Sequence, residues 1–309
     1  MSLAFVYSDT NRGEFFLYHR DDKRLEFLFR YMEQVDPARM AKRRPIAIEA
    51  RDGLQLHGYL TLPQNQSKNL PMVVHPHGGP HFVRDRWRFD SAVQMLAHYG
   101  YAVLQLNFRG SGGFGKSFEA AGQGQWGGVM QDDLTDATRS LIEQGIADPQ
   151  RICIYGSSYG GYAALMGAVK EPALYRCAIG SMGVYDLPMM FREGDIRESS
   201  SGLEYLRQTL GTDKELQQAR SPTYNAAKIE ANVLLIHGTA DKRAPIKHAR
   251  AMKSALDNAE KSYEWLQIKA GGHGFYNEAN REIAYRRVLD FLHANIGQPD
   301  EPVSAISVD

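Results

Sequence analysis

Apolar and polar residues follow two different rhythms along this chain, and the change comes near residue 45. Before it, Ala-Phe-Val-Tyr (4–7), Glu-Phe-Phe-Leu-Tyr-His (14–19) and Leu-Glu-Phe-Leu-Phe (25–29) are short β-rich runs. Asn11-Arg12-Gly13 and Asp21-Asp22-Lys23 separate them as turn formers. The pattern predicts a three-stranded meander within residues 1–40, too small to bury both of its faces alone. After residue 45, strands at 45–50 and 54–62 flank an Asp52-Gly53 turn. Further apolar runs follow at 71–75, 101–107, 151–155, 175–180, 232–237 and 263–269. Amphipathic helices alternate with them near 88–99, 130–144, 159–169, 246–257 and 279–295. Repeated β-α-β order with apolar, β-branched strands predicts an α/β domain over residues 41–297, a mostly parallel sheet with helices on both faces. Residues 298–309, with two prolines and little hydrophobicity, read as a flexible tail.

Charge narrows the partners. The 36 lysines and arginines balance 36 aspartates and glutamates, so a sustained electrostatic grip on nucleic acid or anionic lipid is not expected. No apolar run approaches the roughly 20 residues of a membrane span. The first residues turn polar early and lack a basic n-region, from which a cytoplasmic location is expected. Cys153 and Cys177 are the only cysteines; both lie in apolar runs and are expected to be buried free thiols.

Three stretches carry candidate chemistry. Gly110-Ser-Gly-Gly-Phe-Gly115-Lys116-Ser117 matches the phosphate-cradling loop G-x-x-x-x-G-K-[ST] letter for letter and follows a predicted strand. Glycines at 122, 124, 127 and 128 interrupt the helix that phosphate binding requires behind it. Gly156-Ser-Ser158-Tyr159-Gly160 is a nucleophile elbow, G-x-S-x-G, between a buried strand and an apolar helix, with Ser158 at the apex. An elbow hydrolase needs an acid and then a histidine, each presented after a later strand. Asp241 comes four residues past the strand end at His237, and His273 sits in a glycine-flanked turn after 263–269. Backbone donors for an oxyanion come from Tyr159 N–H and, on the His77-Gly78-Gly79-Pro80 loop, from Gly79 N–H, with Gly78 the alternative. His75, His77 and His81 stand close in sequence, but no further ligands occur at a recognisable spacing, so no metal and no cofactor are expected. Residues 182–223 are long enough to form a cap, and Val184, Tyr185, Met190 and Phe191 are candidate walls of the acyl pocket.

Taken together, these motifs resemble the prolyl oligopeptidase family of serine peptidases, in particular its acylaminoacyl-peptidase and dipeptidyl-peptidase-like branches. The resemblance covers about residues 40–296. It rests on His77-Gly-Gly-Pro80, Asn107-Phe-Arg-Gly-Ser111, Gln125-Trp-Gly-Gly-Val-Met-Gln-Asp-Asp133, Tyr155-Gly-Ser-Ser-Tyr-Gly-Gly-Tyr162, Leu235-Ile-His-Gly238 through Asp241, and Gly272-His-Gly-Phe275. It implies an α/β-hydrolase fold, Ser158 as nucleophile, Asp241 as orienting acid and His273 as base, acting on peptide or small acyl-ester substrates. It also implies an ion-pair role for Arg109, and makes the 110–117 loop structural. The chain departs from the family in three ways. Residues 1–40 correspond at most to the end of the family's β-propeller. His77 stands where some branches place a tyrosine, and Ala244 where a valine is common, which would widen the acyl pocket. The other readings are a carboxylesterase on the same fold, a P-loop nucleotide-binding protein and an inactive interaction module. Open strand edges at 3–30 leave room for a homo-oligomer.

Overall fold

The computed structural model describes residues 1–297, and the tail expected at 298–309 lies outside them. Strands β1 (Ser2–Val6), β2 (Glu14–His19) and β3 (Arg24–Arg30) form an antiparallel sheet of their own, in the order β1-β2-β3. It is tied to the rest of the chain by the buried Gln94, whose side-chain amide donates to the carbonyls of Asp9 and Ala41 and accepts from Ala41 N–H. The Asp9 carboxylate also accepts Arg43 N–H at 2.7 Å.

The second sheet has eight strands: β4 (Arg43–Glu49), β5 (Gln55–Thr61), β6 (Leu70–Val74), β7 (Ala102–Asn107), β8 (Ala147–Ser157), β9 (Cys177–Ser181), β10 (Asn232–Gly238) and β11 (Tyr263–Ile268). Their spatial order is β11-β10-β9-β8-β6-β7-β5-β4. From β11 to β7 every neighbour is parallel; β5 and β4 close one edge antiparallel. Alternation along the inner strands sends side chains into two apolar layers. Val73, Val103, Ile179 and Ile236 pack on α1 (Ser91–His98) and α9 (Glu278–Ile296). Met72, Leu104, Ile154 and Leu235 face α3 (Val129–Glu143), α4 (Tyr159–Lys170) and α8 (Lys247–Asn258). A doubly covered sheet needs apolar residues at successive positions, which is why its strands read as continuous runs. Short helices α2 (Lys116–Ala120), α5 (Leu187–Met190), α6 (Ser200–Leu210) and α7 (Lys214–Ala219) complete the set, the last three in the 182–223 segment.

The cysteines correct an expectation. Cys153 and Cys177 are register partners on adjacent strands β8 and β9, their Cα atoms 4.7 Å apart, and they are joined as a disulfide rather than left as free thiols. Twenty-four residues separate them in sequence, so only the strand pairing brings them together.

Candidate active site

Strand β8 runs straight into the elbow. Ser158 has φ 58° and ψ −122°, a strained conformation for a residue with a side chain. Its neighbours must be glycines, because a Cβ on Gly156 would lie 2.5 Å from the Gly160 carbonyl and one on Gly160 would run into the Pro76 carbonyl. The Ser158 amide donates to the Ser181 carbonyl at 2.9 Å and holds the turn to β9.

Two later connections meet this serine. His273 Nε2 is 2.9 Å from Ser158 Oγ, and His273 Nδ1 is 2.8 Å from Asp241 Oδ2. A carboxylate at Nδ1 requires the proton there, so Nε2 is free to accept the serine hydroxyl. The Asp241 side chain is fully buried, and its Oδ1 accepts Arg243 N–H and Ala244 N–H, each at 2.9 Å. Asp186, another acid that follows a parallel strand, is occupied as the N-cap of α5, accepting Met189 N–H.

Tyr159 N–H belongs to the first turn of α4 and has no acceptor within its own helix. Gly79 lines the same cavity as Ser158, Tyr159 and His273, whereas Gly78 packs against the elbow, so Gly79 N–H is the better placed of the two candidates. His77 braces this loop. Its Nδ1–H donates to the Gly78 carbonyl at 2.7 Å, and its Nε2 lies 2.9 Å from Ser111 Oγ. The Gly78 carbonyl and the Gly79 amide are the two ends of one planar peptide unit, so holding one aims the other. Burial lowers the His77 pKa to about 4, keeping the ring neutral. The remaining early histidines point elsewhere, His75 to the Tyr155 carbonyl and His81 to the Trp126 indole.

The cavity measures about 640 Å³. Val184 and Met190 line it as expected, but Tyr185, Phe191 and Ala244 do not. Tyr185 is turned inward beneath Gly180 and Gly183, Phe191 packs against the core, and Ala244 is buried under Asp241. Trp126, Ile196 and Tyr205 supply the missing wall, with Asp195 and Arg243, an ion pair at 2.8 Å, at its charged side. Trp126 stands beside Tyr159 edge to face at 4.6 Å. Arg109 bonds both Asp133 and Asp52, its guanidinium at 2.7 Å from each, and ties the 107–111 loop to α3.

Residues 87–299 match the sequence profile of the prolyl oligopeptidase family. The chain belongs to that family. Dipeptidyl aminopeptidase BIII of Pseudoxanthomonas mexicana is 32% identical over 302 residues, covering 94% of this chain and 44% of that protein. The acylamino-acid-releasing enzyme of Mus musculus is 27% identical over 79% of the chain and 34% of its own length. The chain thus spans less than half the length of these relatives. The fold is that of prolyl oligopeptidase-family catalytic domains, an α/β hydrolase. A Mycobacterium tuberculosis puromycin-hydrolyzing peptidase superposes with a TM-score of 0.86 at 24% identity, over 96% of this chain and 46% of that one. The Pyrococcus horikoshii acylaminoacyl peptidase gives 0.84 at 23%, over 97% and 49%. No helix among the described residues is long and apolar enough to cross a membrane.

Proposed function

We propose that this chain is a serine hydrolase that cleaves peptide bonds, and small acyl esters, through an acyl-enzyme. The observation that carries the reading is the unbroken hydrogen-bonded series Ser158–His273–Asp241 opening on a walled cavity. Ser158 Oγ attacks the scissile carbonyl while His273 Nε2 takes its proton, and Asp241 fixes the tautomer and stabilises the imidazolium. The developing oxyanion is met by the Tyr159 and Gly79 amides. His273 then protonates the leaving amine or alcohol, and water repeats the sequence on the acyl-enzyme. Trp126, Val184, Met190 and Tyr205 favour an apolar side chain next to the carbonyl. The exposed sheet of residues 2–30 and the greater length of the relatives support reading residues 1–40 as the end of a β-domain preceding a catalytic unit at 41–297. A homo-oligomer covering that sheet is the alternative, and sedimentation of the purified chain separates the two.

A cytoplasmic location is part of the same proposal and has its own check. Subcellular fractionation checks it: the chain should be recovered with the cytosolic fraction, and recovery outside it would point to a compartment in which the Cys153–Cys177 disulfide is favoured. The chemistry is tested by labelling with a fluorophosphonate and mapping the adduct. It should sit on Ser158 and disappear in Ser158→Ala. A folded protein that takes no label, or takes it elsewhere, is not the hydrolase proposed.

A further inference from the structure

The acid at 241 has a second neighbour besides His273. His237, near the end of β10, is fully buried and lies beside Asp241. Its Nε2–H donates to the Ala244 carbonyl at 2.7 Å; a carbonyl has no proton to give, so the neutral ring carries its hydrogen on Nε2. The same nitrogen is 3.6 Å from Asp241 Oδ2, the oxygen that receives His273. Ala244 is therefore held by its carbonyl from His237 and, with its amide, holds Asp241 Oδ1 at 2.9 Å.

The opposite ring nitrogen sharpens the point. His237 Nδ1 is buried without a hydrogen-bond partner among the described residues. Leaving such a group unpaired is unfavourable, and a leucine or methionine in the same space would avoid that cost. Core packing alone does not account for an imidazole here; the bond from Nε2 does. Burial also lowers the His237 pKa, so that a dipole and not a cation stands beside the acid. The titratable groups facing it are Asp241, His273 from the 270–274 turn, and His248 from α8, itself driven down to about 3 by burial. With both buried imidazoles neutral, neither competes with His273 for the charge of Asp241.

We infer that His237 is a positioning residue: its Nε2–H on the Ala244 carbonyl fixes the 241–244 turn and with it the direction in which Asp241 Oδ2 meets His273. The inference rests on the hydrolase reading for its effect on rate, but not for its effect on His273. The test compares His237→Gln, whose amide nitrogen reaches the place of Nε2, with His237→Asn, which reaches only Nδ1. Two quantities are measured on the whole chain: kcat and KM for a chromogenic ester, and the NMR chemical shift of the His273 Nδ1 proton, assigned through His273→Ala. The Asn variant should lose about 10- to 100-fold in kcat with little change in KM. Its His273 Nδ1 proton should move upfield, because the hydrogen bond to Asp241 Oδ2 is no longer aligned. The Gln variant should stay within about threefold of the parent in kcat and keep the parental proton shift. A parental Nδ1 proton shift in the Asn variant, or equal impairment of both variants, overturns the inference. Absence of turnover in the parent would instead defeat the hydrolase reading, and the proton shift would still decide the role of His237. Should the Asn variant fail to fold, His237→Met, similar in bulk and without a donor, replaces it.

Discussion

Two loops at one end of this sheet share a plan: a buried parallel strand, a run of glycines and a helix behind them. After β7, residues 110–117 match a phosphate-binding loop letter for letter; after β8, residues 156–160 match the far less specific elbow pattern. Their surroundings reverse that ranking. In the first loop the leading amides are already used: Gly110 N–H donates to Phe118, Ser111 N–H to Phe108 and Gly112 N–H to Val83, all on carbonyls, and Gly113 N–H donates to the Glu119 carboxylate. The helix that follows has only five residues. In the second loop the glycines free the apex instead of filling it, and two other connections converge on the exposed hydroxyl. A glycine-rich loop is thus defined by what its amides and its apex are left to do.

The comparison breaks most sharply at the two serines of the elbow. Ser158→Ala should lower kcat by about 10⁴-fold or more, while Ser157→Ala, one position from the apex, should keep most activity. The reverse result in steady-state assays would move the nucleophile. His77→Ala comes next, because it frees the peptide unit that presents Gly79 N–H; a loss of about 10²- to 10³-fold in kcat is expected, the scale of one oxyanion donor. Near-parental kcat would mean that Gly79 holds its direction unaided.

A smaller effect concerns the segment bracing the first loop. Asp85 N–H bonds Asn107 at the end of β7, and its carboxylate accepts from Gln105 while the other oxygen is buried and unpaired among the described residues. Burial raises its pKa to about 7 from an ordinary value of 3.8. The unfolded chain loses this proton near pH 4 and the folded one near 7, so the group lowers stability progressively between those values and fully above 7. Asp85→Asn should therefore raise Tm by roughly 3 °C or more at pH 8 and change it little at pH 4. Equal shifts at both pH values would show that folding leaves the titration of this carboxyl unchanged. Smallest of all is Lys116→Ala, which should leave hydrolysis unchanged because this exposed side chain is far from being the phosphate ligand its motif suggests. ATP binding in calorimetry that vanishes with Lys116 would restore the rejected reading.

What could be read in advance followed local rules. Each parallel strand is an apolar run because both faces are covered, and Asp241 and His273 stand out because each follows such a run. The cavity wall was less legible. Trp126 and Tyr205 come from segments 32 residues before and 47 after Ser158, and in sequence each looks like an ordinary packing aromatic. Helix α6 is not legible in the sequence because it begins Ser-Ser-Gly, residues that favour turns until Ser199 caps the helix through Gly202 N–H. Tyr185 is an apolar residue of the cap segment and Ala244 stands where the family commonly has a valine, but side-chain direction in an irregular segment has no period to read.

Gly238 gives the architecture an evolutionary edge. Any Cβ there would collide with the Gly271 carbonyl, two residues before His273. One added methyl would press on the turn that carries His273 and displace it from Ser158, altering the part of the cavity wall that His273 forms. A lineage could in this way lose the Ser158–His273 contact through a single glycine-to-alanine replacement at a position that belongs to neither the elbow nor the cavity wall.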